Sequence, residues 1–179
     1  MAPRKKPSPL AAPALKDYAL RLLTGRALTA GELRRKLAAR AAAPGDVDGV
    51  LAQLKEYGFV DDARYAGHYA GARAGGGRYG AQRVLSELLK KRVAPAPARR
   101  AVAEAFADVD EAEQIGQFLE RKYRGKDLGA LFADPRQLAS AYRRLRTAGF
   151  ASGPSIRVLK RYAEAAEQLE EFENEGGLS

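Results

Sequence analysis

The chain has 179 residues, and 31 basic against 22 acidic residues give it a formal net charge of +9. It contains no cysteine and one histidine, His68, which excludes thiol catalysis, iron–sulfur clusters and zinc sites built from cysteine or histidine. Its 36 alanines against 13 β-branched residues favour helices over a sheet. We therefore expect an all-α protein with no metal and no cofactor. No apolar run approaches the length of a membrane span, which favours a cytoplasmic location.

The positive charge is unevenly distributed along the chain. Residues 1–163 carry +15, whereas residues 164–179 carry −6. A basic body of this kind favours a polyanionic or acidic partner, although it can also serve solubility alone. The acidic end can be a solvated helix terminus, a clamp on the basic body, or a contact for a basic partner.

Helical spacing of apolar residues begins near Leu15, after a proline-rich basic segment that we expect to be a mobile arm. Thr29 and Glu32 match a capping box at a helix start, and Gly58 is a suitable helix stop. The pattern predicts nine helices, with boundaries good to a few residues. These cover residues 14–25, 29–40, 46–58, 61–75, 80–92, 96–107, 110–124, 135–148 and 154–173.

A 14-residue leucine or valine spacing recurs three times, and this recurrence predicts internal repeats. The pairs are Leu37 and Leu51, Leu88 and Val102, and Leu145 and Leu159, displaced by 51 and then 57 residues. The longer second displacement indicates an insertion around residues 125–133. We expect three tandem three-helix repeats packed as an elongated, curved array. The predicted divisions are an arm at 1–13, repeats at 14–60, 61–107 and 108–173, and a tail at 174–179.

Three local motifs could indicate a functional site, but each fits a structural role better. Gly75–Gly80 contains a formal G-x-G-x-x-G, but it follows a predicted helix rather than a strand, so a flexible joint is favoured over a nucleotide site. Asp61 and Asp62 favour a helix cap over a metal or acid pair. His68 favours a packing or surface role over catalysis. With no catalytic constellation, we expect the protein not to be an enzyme.

Arginine outnumbers lysine by 21 to 10, which suits planar recognition of carboxylate or phosphate. High arginine and alanine contents together can equally reflect a GC-rich genome. Two aspartates open the predicted third helix and argue against sequence-specific helix-turn-helix readout there. Backbone-type nucleic-acid binding stays open. The basic residues expected to contact a partner are Arg73, Arg78, Arg83, Lys90, Lys91, Arg143, Arg144 and Arg146.

Two stretches of this sequence resemble the RecX family. The first runs Glu32-Leu33-Arg34-Arg35-Lys36-Leu37, then Val47-x-x-Val50-Leu51-x-x-Leu54-x-x-x-Gly58-Phe59-Val60-Asp61-Asp62-x-Arg64-Tyr65-Ala66. The second runs Gly80-x-x-Arg83-Val84-x-x-Glu87-Leu88-x-x-Lys91. The chain departs from the family pattern at Ala41, where the family has glycine, and at Arg92-Val93 in place of Gly-Ile.

The resemblance implies a non-enzymatic negative modulator of the RecA recombinase, with a place in DNA repair, recombination and the SOS response. Such a protein binds in the groove of the RecA–DNA filament and restrains filament growth, ATP hydrolysis, strand exchange and coprotease activity. It also implies weaker, salt-sensitive binding to single- and double-stranded DNA by a monomer. The alternative is an independent DNA-binding protein, architectural or transcriptional, that needs no RecA.

Overall fold

In a computed structural model, residues 8–163 are described together with Ala166 and Leu169. Within that part of the chain the regular secondary structure is helical apart from an isolated bridge between Leu10 and Ala41. The helices are α1 (Ala12–Gly25), α2 (Ala30–Ala38), α3 (Pro44–Glu56), α4 (Asp62–Ala74), α5 (Ala81–Lys90), α6 (Pro95–Ala105), α7 (Glu111–Lys122), α8 (Leu128–Phe132), α9 (Pro135–Ala148) and α10 (Ser152–Lys160). The all-α prediction is therefore confirmed.

Each of the nine predicted helices has a counterpart, and two features differ. The insertion contains a short helix, α8, which begins where the Asp127 carboxylate accepts the amide of Ala130. Helix α10 ends at Lys160, and a turn at Arg161 and Tyr162 interrupts the helix predicted over residues 154–173. The predicted acidic tail falls outside the described residues apart from Ala166 and Leu169.

The N-terminal segment also differs from the predicted arm, whose limit was residue 13. Helix α1 begins at Ala12, with a proline in its first turn, where the missing amide hydrogen costs nothing. Leu10 is hydrogen-bonded to the backbone of Arg40 and Ala42. The paired part of the chain thus begins before α1, whereas residues 1–7 lie outside the described part.

Side-chain caps fix several helix starts, as short polar residues do at this position. The Thr29 hydroxyl accepts the Glu32 amide and the Glu32 carboxylate accepts the Thr29 amide, which confirms the predicted capping box. The carboxylates of Asp110 and Asp134 accept first-turn amides at the starts of α7 and α9. Asp61 accepts the amide of Arg64 at 2.9 Å, so the predicted cap of α4 is also confirmed.

The chain divides into two compact units, and the middle repeat contributes to both. The first unit contains the chain up to His68 together with Leu88–Ala101. Its core includes Leu15, Leu33, Leu37 and Leu54, all fully buried. The second unit contains Tyr69–Glu87 and the chain from Val102 onward. Its core is centred on α7, α9 and α10 and includes the buried rings of Phe132 and Phe150.

In the part of the chain that is described, no helix is long and apolar enough to cross a membrane. No group of three or more histidine or acidic side chains there could hold a metal ion.

Candidate polyanion-binding site

A basic cleft of about 510 Å³ lies within the second unit, and it is the candidate functional site. Its walls come from the loop between α4 and α5 and from α5, α7 and α9. Tyr79 and Phe118 supply aromatic surface, and Ser140 and Thr147 supply hydroxyl groups. The cationic residues of the cleft are Arg78, Arg83, Lys122, Arg143 and Arg144.

No carboxylate side chain is among the described residues that line this basic cleft. Within the described chain, no ion pair engages Arg78, Lys122, Arg143 or Arg144. All four of these residues are exposed. Like charges held together without counter-charges raise the local potential and attract an anionic ligand. Since arginine presents a planar fork of donors, the cleft is suited to phosphate or carboxylate oxygens.

Helix α7 holds the loop that carries Arg78 and Tyr79. At one end of the loop the buried side chain of Gln114 donates to the carbonyl of Ala74 at 2.5 Å. In the middle, the Arg121 guanidinium donates to the carbonyl of Gly77. Gly77 has φ +53°, a left-handed conformation that glycine adopts without steric cost. The formal glycine motif therefore acts as a joint between two helices, and not as part of a strand–turn–helix unit.

The start of α5 is fixed against the end of α9 by a contact between backbones. The Gly80 amide donates to the Ala148 carbonyl at 2.9 Å, and the Gln82 amide donates to the Gly149 carbonyl at 3.2 Å. A Cβ atom added to Gly80 would lie 2.2 Å from the Gly149 oxygen, far inside van der Waals contact. The approach of these two backbones brings Arg83 beside Thr147, whose carbonyl accepts its guanidinium at 3.4 Å.

Glu87 lies one turn after Arg83 on α5 and binds the Arg83 guanidinium. Its two carboxylate oxygens accept Arg83 Nε and Arg73 Nε, each at 3.2 Å, and the Tyr69 hydroxyl donates to it at 2.8 Å. Arg83 also lies over the ring of Tyr79, 4.6 Å from its centroid, a favourable cation–π geometry. Arg83 is therefore a fixed cation at the edge of the cleft, whereas Arg78, Arg143 and Arg144 extend into solvent.

The titration of Glu87 reflects this set of contacts. Partial burial raises its pKa, but hydrogen bonds from Tyr69 and Arg83 and the charges of Arg73 and Arg83 outweigh burial, so the pKa lies below its ordinary value. A carboxyl whose pKa is lowered by folding stabilises the fold above its unfolded pKa, and that stabilisation is lost as the pH falls through its folded pKa.

We therefore expect Glu87→Gln to destabilise the protein above the ordinary pKa of a glutamate and to lose this effect at lower pH. The measurement is the free energy of unfolding of wild type and variant across the acid range, with circular dichroism as the probe. Glu120→Gln, at an exposed position on α7, is the matched control for the same change of charge. This account would be contradicted if the difference in the free energy of unfolding between Glu87→Gln and wild type stayed constant down to low pH.

The structure brings four of the eight predicted basic residues, Arg78, Arg83, Arg143 and Arg144, into the cleft, and the other four do not line it. The Arg73 guanidinium carbon lies 3.5 Å from the centroid of the Tyr69 ring. Arg73 also pairs with Glu87, the carboxylate that binds Arg83. Arg146 donates to the Phe150 carbonyl at 2.5 Å and stabilises the end of α9. Lys90 and Lys91 belong to the first unit, where the Lys91 carbonyl accepts the Thr29 hydroxyl.

Lys122 and the two aromatic residues of the cleft were missed by sequence reasoning. Phe118 and Lys122 are four residues apart on α7, so they share one helix face. That spacing could have flagged the pair, but it does not reveal which element faces them.

The remaining sequence motifs have structural roles or none at the cleft. Asp62 accepts the amide of Ala30 at 2.7 Å and so ties α4 to the start of α2. His68 is exposed on α4.

The fold and the cleft together define a helical, repeat-containing protein with a cationic surface suited to a polyanion. A family model described as the first three-helix domain of RecX matches residues 16–54. A regulatory protein RecX from Trichlorobacter lovleyi is 37% identical over 132 residues, which cover 74% of this chain and 80% of that protein. One from Leptothrix cholodnii is 34% identical over 146 residues, covering 82% and 87% respectively.

Solved structures show the same fold. The crystal structure of RecX from Lactobacillus salivarius matches with a TM-score of 0.68 at 16% identity, covering 84% of this chain and 96% of that one. The chain belongs to the RecX family of regulatory proteins.

Proposed function

We propose that this chain is a negative regulator of the RecA recombinase, with the RecA–DNA filament as its partner in the cytoplasm. It binds in the groove of the filament and restrains filament growth, ATP hydrolysis, strand exchange and coprotease activity. Membership of a family of regulatory proteins supports a regulatory role. The observation that carries the proposal on this chain is the basic cleft, with five cations and no carboxylate among its described lining residues.

A filament of recombinase and DNA offers the cleft a dense array of negative charge. Duplex DNA carries one phosphate charge per about 1.7 Å of its axis, and cations that neutralise phosphates release bound counterions. In this proposal the cations of the cleft face the filament. The other predicted cations, Arg73, Lys90, Lys91 and Arg146, are partner contacts proposed from the sequence alone. The protein binds free single- and double-stranded DNA more weakly and acts as a monomer.

The test is the ATPase and strand-exchange activity of RecA on single-stranded DNA with and without this protein. We expect both activities to fall at stoichiometric or lower levels of the regulator. Unchanged RecA activity at stoichiometric levels would overturn the proposal. Salt-sensitive binding to DNA with RecA omitted, combined with unchanged RecA activity, would identify the chain instead as an independent DNA-binding protein.

A further inference from the structure

One backbone position accepts a hydrogen bond from an earlier part of the chain in all three repeats. The equivalent residues are Arg40, Lys91 and Ala148, which are separated by the repeat displacements of 51 and 57 residues. The Lys91 carbonyl accepts the Thr29 hydroxyl at 2.5 Å, and the Ala148 carbonyl accepts the Gly80 amide at 2.9 Å. Thr29 and Gly80 are also equivalent, being 51 residues apart. These two contacts are the same joint made twice, once inside each compact unit.

The residue after the acceptor shapes the two joints. Arg92 has φ +63° and Gly149 has φ +91°, so each ends its helix in the left-handed conformation. Each then receives a helix start at very short range. A Cβ atom added to Gly31 would lie 2.6 Å from the Arg92 oxygen, just as one on Gly80 would meet Gly149. In both joints the segment that donates to the acceptor carbonyl is the beginning of a helix.

The first repeat has the same acceptor but a different occupant. The Arg40 carbonyl accepts the amide of Leu10 at 2.6 Å, and the Ala42 amide donates to the Leu10 carbonyl at 2.8 Å. Leu10 also packs its partly buried side chain against the core of the first unit. Ala41 stays out of the left-handed region, since Arg92 is the one non-glycine residue with positive φ in the described chain. The segment around Leu10 thus lies where a preceding repeat would join.

The surface at the end of α2, formed by the Arg40 carbonyl and the Ala42 amide, favours one kind of partner segment. A helix start offers free amides but no free carbonyl, because its carbonyls are already used within the helix. The Ala42 amide donates here while the Arg40 carbonyl accepts, so a segment that presents an amide and a carbonyl together fits this surface better than a helix start. An extended peptide does so, and an apolar side chain beside that pair fills the edge of the core. Leu10 meets both requirements.

We propose that the C-terminal end of α2 is a third repeat-joining surface that binds an extended peptide with a leucine-like side chain. Residues 8–10 occupy it in cis, and the same segment of a second copy of this chain competes for it in trans. The proposal does not depend on RecA. Because the tethered segment has a high effective concentration, the surface is closed in the intact monomer and opens when the contacts of Leu10 are lost.

The test uses the full chain with Leu10→Asp, which removes the apolar contact. A labelled synthetic peptide with the sequence of residues 6–13 is titrated to millimolar concentration against wild type and variant. We expect the peptide to bind the variant at least tenfold more tightly than wild type, and a peptide with aspartate at the leucine position not to bind. Hydrogen exchange of the Ala42 amide should accelerate at least tenfold in the variant and slow again when the peptide is added.

Leu10→Ala is a milder second variant in case the aspartate disturbs folding. Leu10→Ala should also tighten peptide binding and speed exchange of the Ala42 amide relative to wild type, but by smaller factors than Leu10→Asp. Exchange of the α3 amides, which lie in the same compact unit as Leu10, reports whether that unit is folded. Equal peptide binding by wild type and both variants, or unchanged protection of Ala42 in both variants, would overturn the proposal.

Discussion

Replacing Arg78, Arg143 and Arg144 together with alanine should weaken the binding of single-stranded DNA by roughly 30- to 100-fold at low salt. These three arginines are exposed cations of the basic cleft without a carboxylate partner in the described chain. Their loss removes phosphate contacts without leaving a buried charge unpaired. The dependence of log K on log salt should become shallower by about 2, at about 0.7 per phosphate contact on a single strand. Inhibition of RecA ATPase should weaken in parallel.

The matched control removes two exposed cations from the first unit, Arg21 and Arg35, by the same change to alanine. Comparison with the double variant Arg143→Ala/Arg144→Ala keeps the charge change equal. If the cleft is the binding site, the control should retain most of the affinity and of the RecA inhibition. An equal loss in both double variants would show that net charge, and not the cleft, controls binding. Circular dichroism establishes that each variant is folded.

Gly149→Ala should destabilise the protein by about 2–4 kcal/mol, since left-handed backbone strain and overpacking each cost about 1–3 kcal/mol. Gly149 has φ +91°, and a Cβ atom there would lie 2.3 Å from the Arg83 amide nitrogen. The neighbour is backbone, which cannot move aside without disturbing the start of α5. Because this contact also places Arg83, the variant should lose affinity for DNA as well as stability.

Chemical unfolding of three variants measures this effect against two internal controls. Arg92→Gly is the reverse change at the equivalent position of the preceding repeat, since it replaces a side chain at positive φ with glycine. Removing this backbone strain should stabilise the protein by about 1 kcal/mol. Gly116→Ala changes a glycine within α7 where a Cβ atom meets nothing within 4 Å, and should stabilise by about 0.5–1 kcal/mol. A neutral Gly149→Ala would mean that the joint between α5 and α9 is loose.

Local sequence patterns predicted the helices because their causes are local. The Thr29–Glu32 capping box and the Asp61 cap depend on residues three positions apart, and both occur as predicted. Gly58 ends α3 as expected, with φ +70° and its amide bonded to Lys55. The insertion was harder to predict because α8 has only five residues, too few for apolar spacing to establish a helix.

The basic cleft could be predicted only in part because it is assembled from distant segments. Arg78 and Arg144 are far apart in sequence, and charge density alone grouped Arg73 with Arg78. Only the fold shows that Arg73 is committed to Glu87 and Tyr69. In the same way Arg146 resembles its neighbours in sequence, yet it bonds to the Phe150 carbonyl.

The main-chain acceptors at Lys91 and Ala148 have a consequence for how this sequence can vary. A carbonyl is present whatever side chain the residue carries, and the two positions differ as much as lysine and alanine do. What must be kept is the number of residues between a helix and its acceptor, because one added residue would rotate the carbonyl away from its donor by about 100°. The joints therefore tolerate changes of residue type at the acceptor and resist changes of length within α5 and α9.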